Sequence, residues 1–417
     1  LIDFPIFSYR ATTLSIESVS LEKIAQEFGT PCYVYSRSAL VNAYRELDAA
    51  FADRKHLICY AVKANPSIAI LDIFSKLGSG FDIVSGGELQ RVLKVGGDPK
   101  KIVFSGVGKS SAEIQAALSV NILCFNVESE AELRALSQIA KGMNKIASVS
   151  MRVNPDVDAK THPYISTGLK ENKFGVPFDE AEKLYLLGKN LPNIHMTGLD
   201  FHIGSQLIEL APFSEASEKV IGLLDRLENK KIKIEHLDCG GGLGIRYSQE
   251  IPPSPRNYIA ALCAGLGNRT HRMLIEPGRS LVGNAGVLLT RVEYLKHTPY
   301  RNFAIVDAAM NDLLRPALYD AYHEILPVIT NKKKTKPYQI VGPVCETGDF
   351  LGYDRELSLS QGDLLAVMSA GAYGMSMSSN YNSRPRAAEV MVYDDSTHLI
   401  RRRESIDELF ANEMILP

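Results

Sequence analysis

No run of about 18 apolar residues, the length a helix needs to cross a bilayer, occurs in the chain, so a transmembrane helix is not expected. Residues 1–10 set Asp3, Pro5 and Arg10 among their apolar positions and lack the layout of a secretory signal; a start at Leu1 suggests that the natural methionine is missing or that the numbering is shifted. No C-x-x-C pair is present. The six cysteines, Cys32, Cys59, Cys124, Cys239, Cys263 and Cys345, are scattered, which argues against a disulfide framework and a zinc site and points to a reducing cytoplasm. An excess of one charge is missing too. With a net charge of −2 and a pI of about 6.6, no global field recruits nucleic acid or an acidic membrane. The basic run Lys332-Lys333-Lys334 is short, lies near Pro337 and reads as a solvated loop. No internal repeat or low-complexity tract stands out.

What is present is an even alternation. The 417 residues, 45% hydrophobic and 23% charged, suit one large domain plus a smaller one. Eight short apolar, β-branched runs occur at 57–62, 81–84, 102–105, 122–127, 147–153, 196–203, 234–239 and 273–276. Helical patterns lie between most of them, at 67–77, 87–95, 111–120, 129–141, 179–190 and 214–229. Strands alternating with helices predict parallel βαβ units, and eight of them predict a closed (β/α)8 TIM-type barrel. An open doubly wound sheet competes, but no G-x-G-x-x-G follows the first strand. After Gly278 the pattern changes to strand-like runs at 281–297, 303–307, 324–328, 338–341, 356–359, 363–368 and 389–393, separated by Pro, Gly and Asn turns. This predicts a C-terminal β-sandwich or β-barrel-like domain, closed by a short polar helix at 401–412. Tyr33-Val34-Tyr35 is a further strand signal that packs with this domain. The expected division is a barrel over 36–280 and a β domain made of 1–35 and 281–417.

Residues with chemistry gather at the ends of the barrel runs. Lys63 ends the first, in Tyr60-Ala-Val-Lys-Ala-Asn65. Partial desolvation there turns an amine into a nucleophile able to form a Schiff base, although a lysine in this place equally starts a loop and reaches water. His202 ends the sixth, where it can stack on a flat ring or serve as a satisfied structural histidine. Gly240-Gly-Gly-Leu-Gly244 follows the seventh and Glu276-Pro-Gly-Arg-Ser280 the eighth, the two places where barrels commonly hold phosphate. Glycines collect in ordinary turns as well. Glu276 can keep a pyridine nitrogen protonated, or pair with Arg279. Cys345 sits in the polar loop Gly342-Pro-Val-Cys-Glu-Thr-Gly-Asp349, a candidate proton donor beside Glu346, or a semi-exposed cysteine in a turn. Arg315 and Tyr319 can grip a carboxylate or form a surface pair; Pro316 is tolerated only in a first helical turn.

In this order the motifs resemble the fold-type III pyridoxal-phosphate decarboxylases. The resemblance runs from Gly29-Thr-Pro-Cys-Tyr-Val-Tyr35 to Tyr381-Asn-Ser-Arg-Pro-Arg386 through Tyr60–Asn65, Phe81-Asp-Ile-Val-Ser-Gly-Gly-Glu88, His202-Ile-Gly-Ser-Gln206, Glu276-Pro-Gly-Arg279 and Cys345-Glu-Thr-Gly-Asp349. Thr347 stands where the family often has Ser. The resemblance implies pyridoxal 5'-phosphate as cofactor and decarboxylation of meso-2,6-diaminopimelate to L-lysine and CO2, the last step of lysine biosynthesis. It implies that Lys63 is the Schiff-base lysine, that His202 stacks on the ring and that Glu276 partners the pyridine nitrogen. Ser205, Gly241, Gly242, Gly278 and Arg279 are implied to hold the phosphate. Arg279, Arg315, Tyr319 and Glu346 are implied to bind substrate, and Tyr373 to touch both cofactor and substrate. Cys345 and Glu346 are implied to enter a neighbour's site across a homodimer interface. A relative acting on carboxynorspermidine, ornithine or arginine is the nearest alternative; Glu346 speaks against it, since relatives acting on simple diamines typically have Asp after the Cys. An alanine-racemase-like enzyme would carry Arg at the place of Glu276. A non-catalytic relative would lack Lys63 or the cofactor-binding residues. The segment 160–174 is expected to act as a lid, because it lacks strong periodicity.

Overall fold

In the computed structural model of the chain, the eight apolar runs become eight parallel strands. They are β1 (His56–Ala61), β2 (Gly80–Ile83), β3 (Ile102–Phe104), β4 (Cys124–Val127), β5 (Ala147–Asn154), β6 (Ile194–Asp200), β7 (His236–Asp238) and β8 (Arg272–Ile275). Each pairs with the next, and β8 returns to β1 through Leu274 opposite Leu57, so the sheet closes on itself. A closed parallel sheet is covered on both faces, which is why these strands read as apolar runs rather than alternating ones. Leu57, Cys59, Val103, Cys124 and Leu274 form one core cluster of this barrel. The structure describes residues 6–157, 173–267 and 269–417. All but the last two residues of the expected lid, 160–174, lie outside them.

The helices after β2, β3 and β4 start on one recurring device. In Gly86–Lys94, Ser111–Ser119 and Glu130–Gly142 the serine just before the helix (Ser85, Ser110, Ser129) accepts from the backbone N–H of the glutamate three residues on. Each cap contributes about 1 kcal/mol and sets the helix start. Glu113 completes a full capping box with Ser110 and also accepts from Gly86 N–H at 2.8 Å, tying one βα unit to the next. A helix at Pro255–Cys263, capped by Ser254, lies between β7 and β8 and is not among the expected helical patterns; Pro252, Pro253 and Pro255 crowd its start.

The chain divides into two units, Ala43–Ile245 with Ile251–Ser280, and Leu1–Asn42 with Arg246–Glu250 and Leu281–Pro417. In the second unit the strand Gly286–His297 is the spine. Its first half pairs with Cys32–Ser36 and Leu364–Val367, and its second half with Asn302–Val306. A single strand thus passes from one part of the sheet to another, as the β-sandwich or barrel-like expectation requires. Cys32–Ser36, which holds Tyr33-Val34-Tyr35, is flanked by this strand and by Ala388–Tyr393. The unit's core gathers Ile16, Leu21, Ile24, Val34, Leu289, Ala366 and Val390, all almost fully buried.

Three expectations for this unit need correction. The run 281–297 is not one strand: a helical turn at Arg279–Val282 and a 3-10 turn at Gly283–Ala285 precede it, where Asn284 donates to Ser369 Oγ and Arg246 O. The strand expected at 356–359 runs Phe350–Leu357. The helix expected at 401–412 is the end of the strand Ser396–Arg401 followed by one 3-10 turn, Asp407–Phe410. Glu408 there is bound by Ser405 N–H and by Arg402, side-chain bonds that compete with an α-helix.

Candidate active site

Lys63 lies in a 3-10 turn, Val62–Ala64, directly after β1. Its ammonium meets the Asp82 carboxylate at 2.5 Å; Asp82 is on β2 and fully buried, while the lysine side chain keeps 41% of its exposure. The amine is therefore neither a core cation nor a loose surface one. Glu88, on the helix after β2, is pushed up to about 7 by burial, against the Val84 N–H bond and Lys63, which pull it down.

Glu276 follows β8, the strand beside β1, and Ala61 N–H donates to Pro277 O at 3.0 Å, so the two strand ends are joined. Its Oε1 accepts from Asn126 Nδ2 at 3.2 Å and from Ser105 Oγ at 3.3 Å. Behind it stand Asp238 and Asp200; one carboxylate oxygen of each of the three lies within 4.8 Å of the others, all buried. Asp238 accepts from Gly240 N–H, whereas Asp200 Oδ1 has no hydrogen-bond partner among the described residues. Burial and mutual repulsion raise the pKa of Glu276, Asp238 and Asp200 well above the carboxylate range; Lys63 and Arg152 only partly oppose this at Glu276. Like charges so close in a low dielectric oppose one another's ionisation, so this end of the barrel holds protons more tightly than free carboxylates do.

His202 is half-buried, and its pKa lies well below the usual histidine value, through desolvation and then the cations Arg152 and Lys63. Its Nδ1 accepts from Gly241 N–H at 3.0 Å, which leaves the ring proton on Nε2. The glycine loop cannot carry side chains. A Cβ on Gly241 would stand 2.3 Å from Glu276 O, and one on Gly242, where φ is +109°, 2.5 Å from Gly204 O. Three of the loop's N–H groups are already engaged, Gly240 with Asp238 Oδ1, Gly241 with His202 Nδ1 and Gly244 with Leu207 O, and the missing side chains let the backbone itself approach an anion. Arg279 Nη2 donates to Ser205 Oγ at 2.8 Å, joining the loop after β6 to the one after β8, and Gly278 beside it is buried.

These residues fit pyridoxal phosphate: an amine after β1, a carboxyl group of raised proton affinity after β8, a flat ring after β6 and a glycine loop after β7 share one end of the barrel. Five other expected site residues belong to the β unit. Arg315 and Tyr319 bound one short helix, with Pro316 in its first turn as tolerated; Arg315 is buried and Tyr319 half-buried. Cys345 and Glu346 form the exposed tip of a loop whose base is fixed. The Asp349 carboxylate accepts from Met310 and Val344 N–H, and Cys345 N–H donates to Asn382 Oδ1 at 2.7 Å. Tyr373 is held at φ +57°, a left-handed conformation that costs a non-glycine residue roughly 1–3 kcal/mol and that clusters at functional sites.

A family model described as pyridoxal-dependent decarboxylase, pyridoxal binding domain, matches residues 37–283. The chain belongs to the pyridoxal-dependent decarboxylases. Among members of this family, it is 57% identical over 411 residues to a diaminopimelate decarboxylase of Pseudomonas aeruginosa, covering 99% of each chain. It is 55% identical over 402 residues to one of Vibrio cholerae, covering 96% of each. A crystal structure of diaminopimelate decarboxylase from Helicobacter pylori complexed with L-lysine superposes with a TM-score of 0.91 at 44% identity, covering 94% of this chain and 98% of that one. In this pyridoxal-dependent decarboxylase, sequence patterning does not single out the polar residues that surround Glu276 and Lys63. Asp82, Asp200 and Asp238 stand on β2, β6 and β7, Asn126 on β4, and Ser105 just after β3. The available signal is a polar residue within or closing an otherwise apolar run, as at Asp82, Ser105, Asn126, Asp200 and Asp238, near the end where a barrel strand opens into its mouth.

Proposed function

We propose that this chain decarboxylates meso-2,6-diaminopimelate to L-lysine and CO2. The observation that carries the reading is the pairing of Lys63 and Glu276 on adjacent strand ends, with the glycine cradle beside them. The relatives named diaminopimelate decarboxylase, matched over nearly the whole chain, support the choice of substrate. Bound pyridoxal phosphate supplies an electron sink for the bond that releases CO2.

The chain's own residues do the rest. Lys63 would hold the cofactor through its side-chain amine. Glu276 keeps the ring nitrogen protonated, its raised proton affinity matched to sharing a proton there. His202, oriented by Gly241 N–H, would stack against the cofactor ring. Ser205, Gly241, Gly242, Gly278 and Arg279 hold the phosphate. Arg279, Arg315, Tyr319, Glu346 and Tyr373 hold the substrate; a site that pairs its far carboxylate and ammonium rejects analogues lacking either charge. Cys345 delivers the proton to Cα. Cys345 and Glu346 act in the site of a second copy of the chain, in a homodimer; an exposed tip on a fixed base supports that role. The six unbridged cysteines support work in a reducing cytoplasm.

The test is CO2 release from meso-diaminopimelate, ornithine, arginine and carboxynorspermidine under equal conditions. Turnover of diaminopimelate should exceed the others by orders of magnitude. Faster release from any of the other three would replace the substrate assignment.

A further inference from the structure

We infer that His323 is a positioning residue that fixes the guanidinium of Arg315 and thereby the recognition of the substrate's retained carboxylate; the inference rests on the reading of Arg315 given above. His323 is completely buried and Arg315 nearly so. Arg315 Nη1 and His323 Nε2 are 3.2 Å apart, and His323 Nδ1 is 2.8 Å from Met368 O. A guanidinium can only donate and a carbonyl can only accept. The imidazole is therefore neutral, with its proton on Nδ1 and its lone pair aimed at Arg315. The guanidinium also lies over the Tyr247 ring, 4.7 Å from its centre, and the Tyr247 and His323 rings meet edge-on at 5.1 Å and 77°. Arg315 is thus fixed in plane by an acceptor and in height by a ring face.

What holds His323 is the sheet. Met368 N–H donates to Glu324 O, at the start of the antiparallel pair Ile325–Pro327 and Leu364–Val367, and Arg355 Nη2 donates to His323 O at 3.0 Å. The chain Met368 to His323 to Arg315 carries the rigidity of two paired strands to the end of a long, rotamer-rich side chain. A planar fork recognises a carboxylate through two parallel bonds only when its plane is set beforehand. A small misplacement weakens binding without touching the reacting atoms.

The test uses the cofactor-loaded full chain. His323→Phe removes the acceptor and should raise KM for diaminopimelate about ten-fold while leaving kcat within about three-fold. Lysine, which retains the far carboxylate, should lose inhibition by the same factor; 1,5-diaminopentane, which lacks it, should not. His323→Gln, which returns an acceptor near the position of Nε2, should restore most of the loss. Unchanged KM and lysine inhibition in His323→Phe, beside a raised KM in Arg315→Ala, would overturn the inference alone. So would equal weakening of lysine and 1,5-diaminopentane, which marks a merely structural role. An unchanged KM in Arg315→Ala would instead remove the reading of Arg315, and this inference with it. Nitrogen NMR of the wild-type protein supplies a check that needs no variant: the proton should be on Nδ1 at neutral pH, and a protonated Nε2 overturns the clamp.

Discussion

In the barrel unit Asp82, Asp200, Asp238 and Glu276 are buried around two cations, Lys63 and Arg152, and two of the carboxylate oxygens, Asp82 Oδ1 and Asp200 Oδ1, have no hydrogen-bond partner among the described residues. In the β unit each buried acid closes a piece of backbone or pairs locally. Asp312 accepts from Ala309 N–H, Asp349 from Met310 and Val344 N–H, and Glu389 from the Tyr35 hydroxyl and Arg401. Buried acids of the second kind are structural, each matched by its own donors. Those of the first kind are crowded and under-matched, an arrangement that persists when a ligand's charge is to be met there. The crowded acids lie within the stretch matched by the pyridoxal binding domain, whereas those of the β unit fix its own backbone and loops.

The strongest break of this division is Lys63→Ala. It should lose all measurable turnover and the borohydride-fixable absorbance of bound cofactor, while keeping its fold. Cys345→Ala should do the reverse in the β unit: unchanged cofactor absorbance, with kcat lower by about a hundred-fold or more. Wild-type speed in that variant would remove the proton-donor role and leave the β unit with binding alone. Gly241→Ala comes next, since its Cβ would press on Glu276 O. Cofactor affinity measured by equilibrium dialysis should fall about ten-fold or more, with a smaller loss in Tm.

The smallest effect concerns pH and applies to both units. Glu88 in the barrel and Asp312 in the β unit are each pushed up to about 7, chiefly by burial. A folded pKa above the unfolded one means that the native state holds the proton more tightly. Its stabilising share is present in acid, below the unfolded value, and is lost as pH rises through about 7. Glu88→Gln and Asp312→Asn should therefore match wild type in Tm near the unfolded carboxylate pKa and exceed it by a few degrees above neutrality. A Tm difference that does not change with pH would show that neither group titrates in this range.

Legibility differed between the units for a physical reason. Barrel strands are buried on both faces and separated by amphipathic helices, so 57–62 or 147–153 stands out as an apolar block. The strands of the β unit are shorter of apolar residues and longer of turns: Phe350–Leu357 contains Gly352, Asp354 and Arg355, and only its pairing with Lys336–Val341 makes it a strand. The polar segment 401–412 carries helix-compatible residues, yet Glu408 is bound by Arg402 and Ser405, and one turn is all that forms. His323 was invisible for a similar reason, since nothing around it in the chain announces Met368 or Tyr247 as its neighbours.

By itself the sequence determined the order of βα units, the position of Lys63 after the first strand and of Glu276 after the last, and the glycines that leave room between them. These are local properties: periodicity, caps and the absence of a Cβ act within a few residues. Only the tertiary structure decided that the first and last strands are neighbours, that three carboxylates from three strands crowd at one point, and that a histidine at 323 faces the arginine at 315. Each of those depends on barrel closure or sheet pairing, which joins residues far apart in the chain through contacts that no single segment encodes.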